Sequence, residues 1–262
     1  MILFDSHCHI DDPCFEPDMG AMFDRARHAG VRAMAIAGVN ADTARKAIDI
    51  AARHDNVITA VGIHPHDAAR CSQDILDGLI RLAKANGCVR AWGETGLDFN
   101  RMFSPQKDQE ACFKAQLAIA GELDLPLIFH ERDSNGRFYD IVKSDGPGSR
   151  NGVVHCFSGT RKEMFQYLDL GYHIGITGIL TIQKRGRQLR ELAPLIPEDR
   201  ILIETDAPYL TPAPQKNKVR RNEPAFVASV LTTLARVRNQ DPEDLAVTIL
   251  NNTNRFFSTC FT

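Results

Sequence analysis

Histidines and carboxylates stand at the ends of five short apolar runs in this chain, and as donor types they form a metal-ligand set. His7-Cys8-His9 follows Ile2-Leu3-Phe4-Asp5, Glu94 follows 89–93, His130 follows 126–129, His155 closes 152–154, and Asp206 follows 201–205. Imidazole nitrogen and carboxylate oxygen are what a catalytic divalent cation takes. Donors remote in sequence that share a strand-end position suit a hydrolase built at the C-terminal face of a barrel. Alternation along a strand sends His7 and His9 to one side and Cys8 to the other, so Cys8 reads as a core thiol and not as a nucleophile. His7, His9, Glu94, His130, His155 and Asp206 are more ligands than one cation needs. They suit two divalent ions bridged by Glu94, because a carboxylate can hold ions roughly 3.5–4 Å apart. One site is expected from His7, His9, Glu94 and Asp206, the other from Glu94, His130 and His155. Asp206 would also take a proton from the attacking water, which places it with Glu94 and Glu204 among the expected catalytic residues. Glu204 itself stays open between an extra ligand, an acceptor facing substrate, a group orienting a histidine, and a structural ion pair. Asp5 either binds the far nitrogen of a histidine or caps the base of its strand.

These residues need elements that bring them together. Strands are expected over 2–6, 31–37, 57–63, 89–93, 126–130, 152–156, 172–176 and 200–205. Between them, 18–29, 42–54, 73–85, 105–123, 136–143, 161–170 and 186–193 mostly repeat apolar residues three and four apart, the period of a helix. In 105–123, Cys112, Gln116, Ile119 and Leu123 share a face, after a Ser104-Pro105 pair that reads as cap and first helical residue. Gly30, Gly87 and Gly171 stand where a left-handed helix C-cap is wanted. Short, nearly continuous apolar strands suit a parallel sheet covered by helices. Eight strand–helix units in 262 residues therefore predict a single-domain α/β fold over 1–262, a (β/α)8 TIM barrel. A doubly wound open sheet is the rival, but no Gly-rich phosphate loop follows the first strand. A proline-containing loop over 208–224 and two terminal helices, 224–237 and 242–256, complete the chain.

Composition sets the remaining bounds. Hydrophobic residues at 44% and charged residues at 24% describe an ordinary globular protein. A formal net charge of -2 gives no global pull on nucleic acid or anionic lipid, so a polyanion would need local basic patches or metal. Seven cysteines without a CxxC spacing read as reduced thiols within or beside apolar runs, as at Cys88, Cys112 and Cys156. The expectation is a cytoplasmic protein with neither a leader nor a membrane span, and a monomer.

Taken in order, Asp5-Ser-His-Cys-His-Ile10, Val61-Gly-Ile-His-Pro-His66, Gly93-Glu-Thr-Gly-Leu-Asp98, His130-Glu-Arg-Asp133, His155-Cys-Phe-Ser-Gly159, Gly175-Ile-Thr-Gly178, Glu204-Thr-Asp-Ala-Pro208 and Arg221-Asn-Glu-Pro224 resemble the TatD family of metal-dependent deoxyribonucleases across essentially the whole chain. The family's metal ligands fall on His7, His9, Glu94, His130, His155 and Asp206. The resemblance implies a magnesium-dependent nuclease, commonly an exonuclease acting from the 3′ end of DNA; manganese and zinc are the alternative metals, and RNA an alternative substrate.

A nuclease should carry positive charge at the same barrel face. Lys184, Arg185, Arg187 and Arg190 follow the seventh strand, and Lys216, Lys218, Arg220 and Arg221 the eighth. A solvated basic face is the plain alternative. His66, and Arg132 with Asp133 orienting it, are expected at the phosphate together with Lys184, Arg185 and Arg221. Phe99, Phe103 and Tyr209 could stack on a terminal base or form an apolar lid. A narrow, acidic-total protein favours single-stranded or frayed ends. The competing functions are an amidohydrolase or small phosphoesterase using the same metals, and a nucleic-acid-binding protein without catalysis.

Overall fold

A computed structural model describes residues 1–144, 151–213 and 215–262. Pro214, within the expected 208–224 loop, lies outside the described residues. The strands are β1 (Leu3–Cys8), β2 (Val31–Gly38), β3 (Val57–Val61), β4 (Val89–Asp98), β5 (Leu127–Arg132), β6 (Gly152–Val154), β7 (His173–Ile176) and β8 (Ile201–Ile203). They form one eight-stranded sheet in sequence order. The helices are α1 (Met19–His28), α2 (Ala41–Ala51), α3 (Gln73–Ala85), α4 (Gln106–Leu123), α5 (Arg137–Ser144), α6 (Arg161–Asp169), α7 (Arg187–Leu192), α8 (Val227–Arg238) and α9 (Pro242–Phe257). β1 meets β8: the Asp206 amide donates to the His7 carbonyl at 2.9 Å, and the Ser6 hydroxyl to the Ile203 carbonyl at 2.9 Å. The fold is the (β/α)8 barrel.

The chain divides into two compact units, Met1–Ile36 with Cys156–Ser158 and Ile174–Thr262, and Ala37–His155 with Gly159–His173. In the first, Phe4 of β1 is fully buried against Phe257 at 5.6 Å and Phe261 at 5.4 Å. Burying such a ring contributes about 1.5–3 kcal/mol. It fixes which way β1 faces, so His7 and His9 take the side that Phe4 does not. Asn252 of α9 donates to the Glu198 and Ile201 carbonyls at 2.7 and 3.1 Å and ties that helix to the base of β8.

In the second unit, Phe129 of β5 packs among Phe113 of α4, Phe138 of α5 and Tyr172. Alternation then turns the next residue, His130, away from this cluster. Buried Gln116 and Gln109, both on α4, serve the backbone instead of the apolar core. Gln116 accepts from the Ile63 amide at 2.8 Å and from the Trp92 indole at 3.1 Å, and donates to the Ile63 carbonyl at 2.9 Å. Gln109 grips Asp98 in the same way, accepting from its amide at 2.8 Å and donating to its carbonyl at 3.1 Å.

Several details differ from the sequence reading. β4 runs on to Asp98, because pairing with β5 resumes past an irregularity after Trp92 and continues to Asp98 opposite Arg132. Glu94 therefore lies inside a strand. Glycine at Gly96 permits this continuation: its φ is 146°, and a Cβ there would collide with the His130 carbonyl. Gly30 and Gly171 are left-handed as expected, but Gly87 is not, since α3 ends on extended Asn86. Pro105 is the N-cap of α4, and the Ser104 hydroxyl is committed to the His66 carbonyl. Of the seven cysteines only Cys8 and Cys112 are buried; Cys88 and Cys156 are half-buried.

Replacing Gln116 by Met strands the Ile63 and Trp92 groups, at about 1–3 kcal/mol per buried unpaired group. Urea denaturation should show a loss of about 3 kcal/mol or more; a loss below about 1 kcal/mol would show that water replaces the clamp.

Candidate functional site

In the second unit, three imidazoles surround one carboxylate oxygen. Glu94 Oε1 lies 2.7 Å from His130 Nδ1, 3.2 Å from His155 Nε2 and 3.4 Å from His64 Nε2. β4, β5 and the residues after β6 and β3 supply them, and the His155 amide is pinned to the Phe129 carbonyl at 3.0 Å. Burial opposes ionisation of Glu94, but His155, His64 and His130 outweigh it and hold the carboxyl well below its ordinary value. At His130 burial again opposes charge, yet Asp98 and Glu94 on either side pull its pKa upward. The arrangement thus draws positive charge toward Glu94 and His130, where a divalent cation would meet that demand, and His64 adds a third nitrogen within 4.8 Å of both donor atoms.

Asp98 and His64 are the residues that the sequence reading did not single out. Asp98, fully buried at the end of β4, puts Oδ2 2.7 Å from His66 Nε2 and 3.3 Å from His130 Nε2. Its Oδ1 accepts from the Asn100 and Arg101 amides at 3.0 and 2.8 Å. Burial raises its pKa, and the hydrogen bonds from His130, His66 and Arg101 more than reverse this, keeping it ionised. A carboxylate on the far nitrogen of a candidate metal histidine sets both tautomer and ring orientation. His64 caps the 3-10 turn Pro65–Arg70, its Nδ1 accepting from the His66 amide at 3.0 Å. A His before Pro at a loop start was the available signal, read only as part of a family motif.

The first unit holds its own cluster. His9 Nε2 lies 3.2 Å from His7 Nε2 and 3.4 Å from Asp206 Oδ1, while His7 Nε2 lies 3.9 Å from the same oxygen. The His9 amide donates to the Ala207 carbonyl at 2.7 Å, fixing β1 against the residues after β8. Asp206 sits at φ 57°, a left-handed conformation that is uncommon outside glycine and clusters at functional sites. Glu204 accepts from the Cys156 amide at 2.6 Å and from Ser6 at 3.4 Å. Its carboxylate lies over Gly175, where a Cβ would stand 2.9 Å from both oxygens, so this position needs glycine. Asp5 neither binds an imidazole nor caps the strand base: it holds the Thr205 amide and hydroxyl at 2.8 and 2.5 Å. Burial pushes its carboxyl up to about 8. Cys8 is fully buried with its thiol on the Ala35 carbonyl at 3.4 Å, and burial raises its pKa well above the ordinary value, which removes it as a nucleophile.

The expected phosphate contacts occupy different settings. His66 is part-buried on Asp98, with Phe103 at 4.7 Å between ring centroids. Arg132 is half-buried at the end of β5, and exposed Asp133 does not orient it as expected but accepts from Asn100 at 2.7 Å. Lys184 and Arg185 are exposed, as are Lys216, Lys218 and Arg220. Arg190 instead spends its guanidinium on the Leu180 and Ile182 carbonyls at 2.8 and 3.0 Å. Arg221 is paired with Asp18 at 2.7 Å and lies 4.5 Å over the Phe15 ring. Its neighbour Asn222 donates to the Thr205 and Tyr209 carbonyls at 2.8 and 2.6 Å and straps the loop that carries Asp206. Phe103 and Tyr209 are 65% and 55% exposed, Tyr209 with its ring 5.9 Å from His9.

Asp98→Asn would set an amide N–H or a weaker neutral acceptor against the two imidazole N–H groups. Calorimetric titration with Mn2+ should show affinity reduced by about 10–100-fold with the fold retained. Binding within two-fold of the parent chain would remove Asp98 from metal positioning.

Comparison with known proteins adds independent findings. The profile of the family described as TatD related DNase matches residues 4–258. The 3′-5′ ssDNA/RNA exonuclease TatD of Rahnella sp. is 44% identical over 262 residues, 98% of each chain. The protein of the same name from Citrobacter koseri is 40% identical, covering 99% of this chain and all of its own. The crystal structure of a TatD homologue from Escherichia coli K12 superposes with a TM-score of 0.90 at 29% identity, over 98% of both chains. A match over nearly the whole length, with that agreement in fold, makes this chain a member of the TatD-related DNase family.

Proposed function

We propose that this chain is a metal-dependent 3′-5′ exonuclease that hydrolyses phosphodiester bonds at single-stranded or frayed DNA ends, and RNA ends as well. The observation that carries the reading is the crowding of three imidazoles on buried Glu94, a donor set that structural packing alone gives no reason to assemble. Relatives at 40–44% identity bearing the name 3′-5′ ssDNA/RNA exonuclease support the substrate. His7, His9, Glu94, His130, His155 and Asp206 are assigned as ligands of two divalent ions, with magnesium preferred over manganese and zinc. When bound there, such ions would lower the pKa of water and neutralise charge on the phosphate and the leaving 3′ oxygen.

The chain's own residues do the rest. Asp206 orients the attacking water and takes its proton. Glu204, held by the Cys156 amide, keeps a carboxylate beside the strand end that carries Asp206, and is assigned to orientation rather than proton transfer. His66, on Asp98, and Arg132 receive the terminal phosphate, Asp133 being held by Asn100, and exposed Lys184 and Arg185 track the strand behind it. Arg221 serves binding indirectly, by holding the segment of Asn222 through Asp18. Exposed Phe103 and Tyr209 stack on bases near the end. An amidohydrolase would gain nothing from the exposed basic residues after β7 and β8. The chain is proposed to act as a monomer. The seven cysteines form no disulfide, which suits a reducing compartment, and the cytoplasm is the proposed location. No described helix is long and apolar enough to cross a membrane.

The test uses metal-stripped protein and single-stranded DNA labelled at either end. With magnesium restored, stepwise shortening from the 3′ end is expected, with Asp206→Asn at least about 100-fold slower. Intact DNA across magnesium, manganese and zinc would overturn the reading.

A further inference from the structure

Of the three imidazoles around Glu94, His64 differs in what its two nitrogens can do. Its Nδ1 accepts a hydrogen bond from the His66 amide at 3.0 Å. An accepting Nδ1 has no proton, so the ring is neutral and its proton is on Nε2. A protonated Nε2 has no lone pair for a cation. It stands 3.1 Å from His130 Nδ1 and 3.4 Å from Glu94 Oε1, aimed at the point where these two donor atoms meet. Proximity alone groups His64 with Glu94 and His130 as possible ligands; the hydrogen bond at the far side of the ring separates it from them.

The fold spends several bonds on keeping this ring in place. The His64 amide donates to the Val39 carbonyl at 2.9 Å. Gln116 clamps both backbone groups of Ile63, the residue before it. Pro65 follows at the first position of the 3-10 turn, and Ser104 holds the far side of that turn through the His66 carbonyl at 2.8 Å and the Ala69 amide at 2.9 Å. A ring so pinned, with one N–H directed beside a candidate metal ligand pair, is a preorganised donor for negative charge.

We propose that His64 is a catalytic hydrogen-bond donor to a non-bridging oxygen of the scissile phosphate and not a metal ligand. This rests on the nuclease reading above for its substrate, while the tautomer and the non-ligand role rest on geometry alone. The donor strengthens as charge builds on that oxygen, so its loss falls on kcat more than on KM.

Three readouts decide it. Side-chain 15N spectra of the metal-free wild-type protein should give His64 an unprotonated Nδ1 and a protonated Nε2. Calorimetric titration of His64→Ala with Mn2+ should keep the wild-type stoichiometry and an affinity within about three-fold. On a 3′-labelled single-stranded oligonucleotide with magnesium, the same variant should lose about 10²–10³-fold in kcat with little change in KM, the cost of one oxyanion donor. His64→Gln, which keeps an N–H, should recover at least about ten-fold of that loss. A protonated Nδ1, a lost equivalent of Mn2+, or an unchanged kcat would each overturn the proposal. If wild-type protein leaves DNA intact, the nuclease reading and the phosphate partner fail together, and the spectra and titration still decide whether His64 is a ligand. If His64→Ala does not fold, the wild-type spectra and the His64→Gln titration carry the decision.

Discussion

An ionised carboxylate taken out of water must be met by positive charge or by several hydrogen-bond donors, because its unpaired burial costs several kcal/mol. Glu94 is nearly inaccessible, and its Oε1 is met only at the price of crowding His130, His155 and His64. Like charge on three imidazoles at once is unfavourable, and burial together with His130 drives His64 down to about 4. Asp98 then supplies, from behind, the second negative charge that favours a cation at His130. Much of the surrounding architecture follows from holding these groups against their mutual repulsion.

The device used for this recurs. Buried side-chain amides grip the backbone next to functional residues: Gln116 at Ile63, Gln109 at Asp98, and Asn222 at Thr205 and Tyr209 around Asp206. Each satisfies main-chain groups that leave regular pairing where a strand ends, and the two glutamines are themselves placed by α4. Loops at a barrel mouth are ordinarily the mobile part of the fold. Here the segments nearest the candidate ligands are fastened, while the charged residues Lys184, Arg185, Lys216 and Lys218 remain exposed.

Alternation within strands made much of this legible in advance. Phe129 buried and His130 turned the other way, and Cys8 buried between His7 and His9, are both consequences of a two-residue period. What the sequence hid depends on distant partners. Glu94 reads as the residue after a strand, and the conformational freedom of Gly93 and Gly96 lets β4 continue to Asp98. Arg221 reads as a free cation in a basic run, but Asp18, 203 positions away, takes its guanidinium. Gln116 reads as one of a helix face with Cys112, Ile119 and Leu123, since nothing local reveals that its amide grips the backbone of Ile63. Asp98 and His64 were part of quoted motifs, yet their roles are set by what lies across from them.

In the proposed function His7, His9, Glu94, His130, His155 and Asp206 hold two divalent ions. Anomalous diffraction from crystals grown with Mn2+ tests it most directly. The account predicts two strong peaks, both ligated by Glu94, with His64 outside the coordination distance of either. A single peak, or ions bound away from these six side chains, would contradict it.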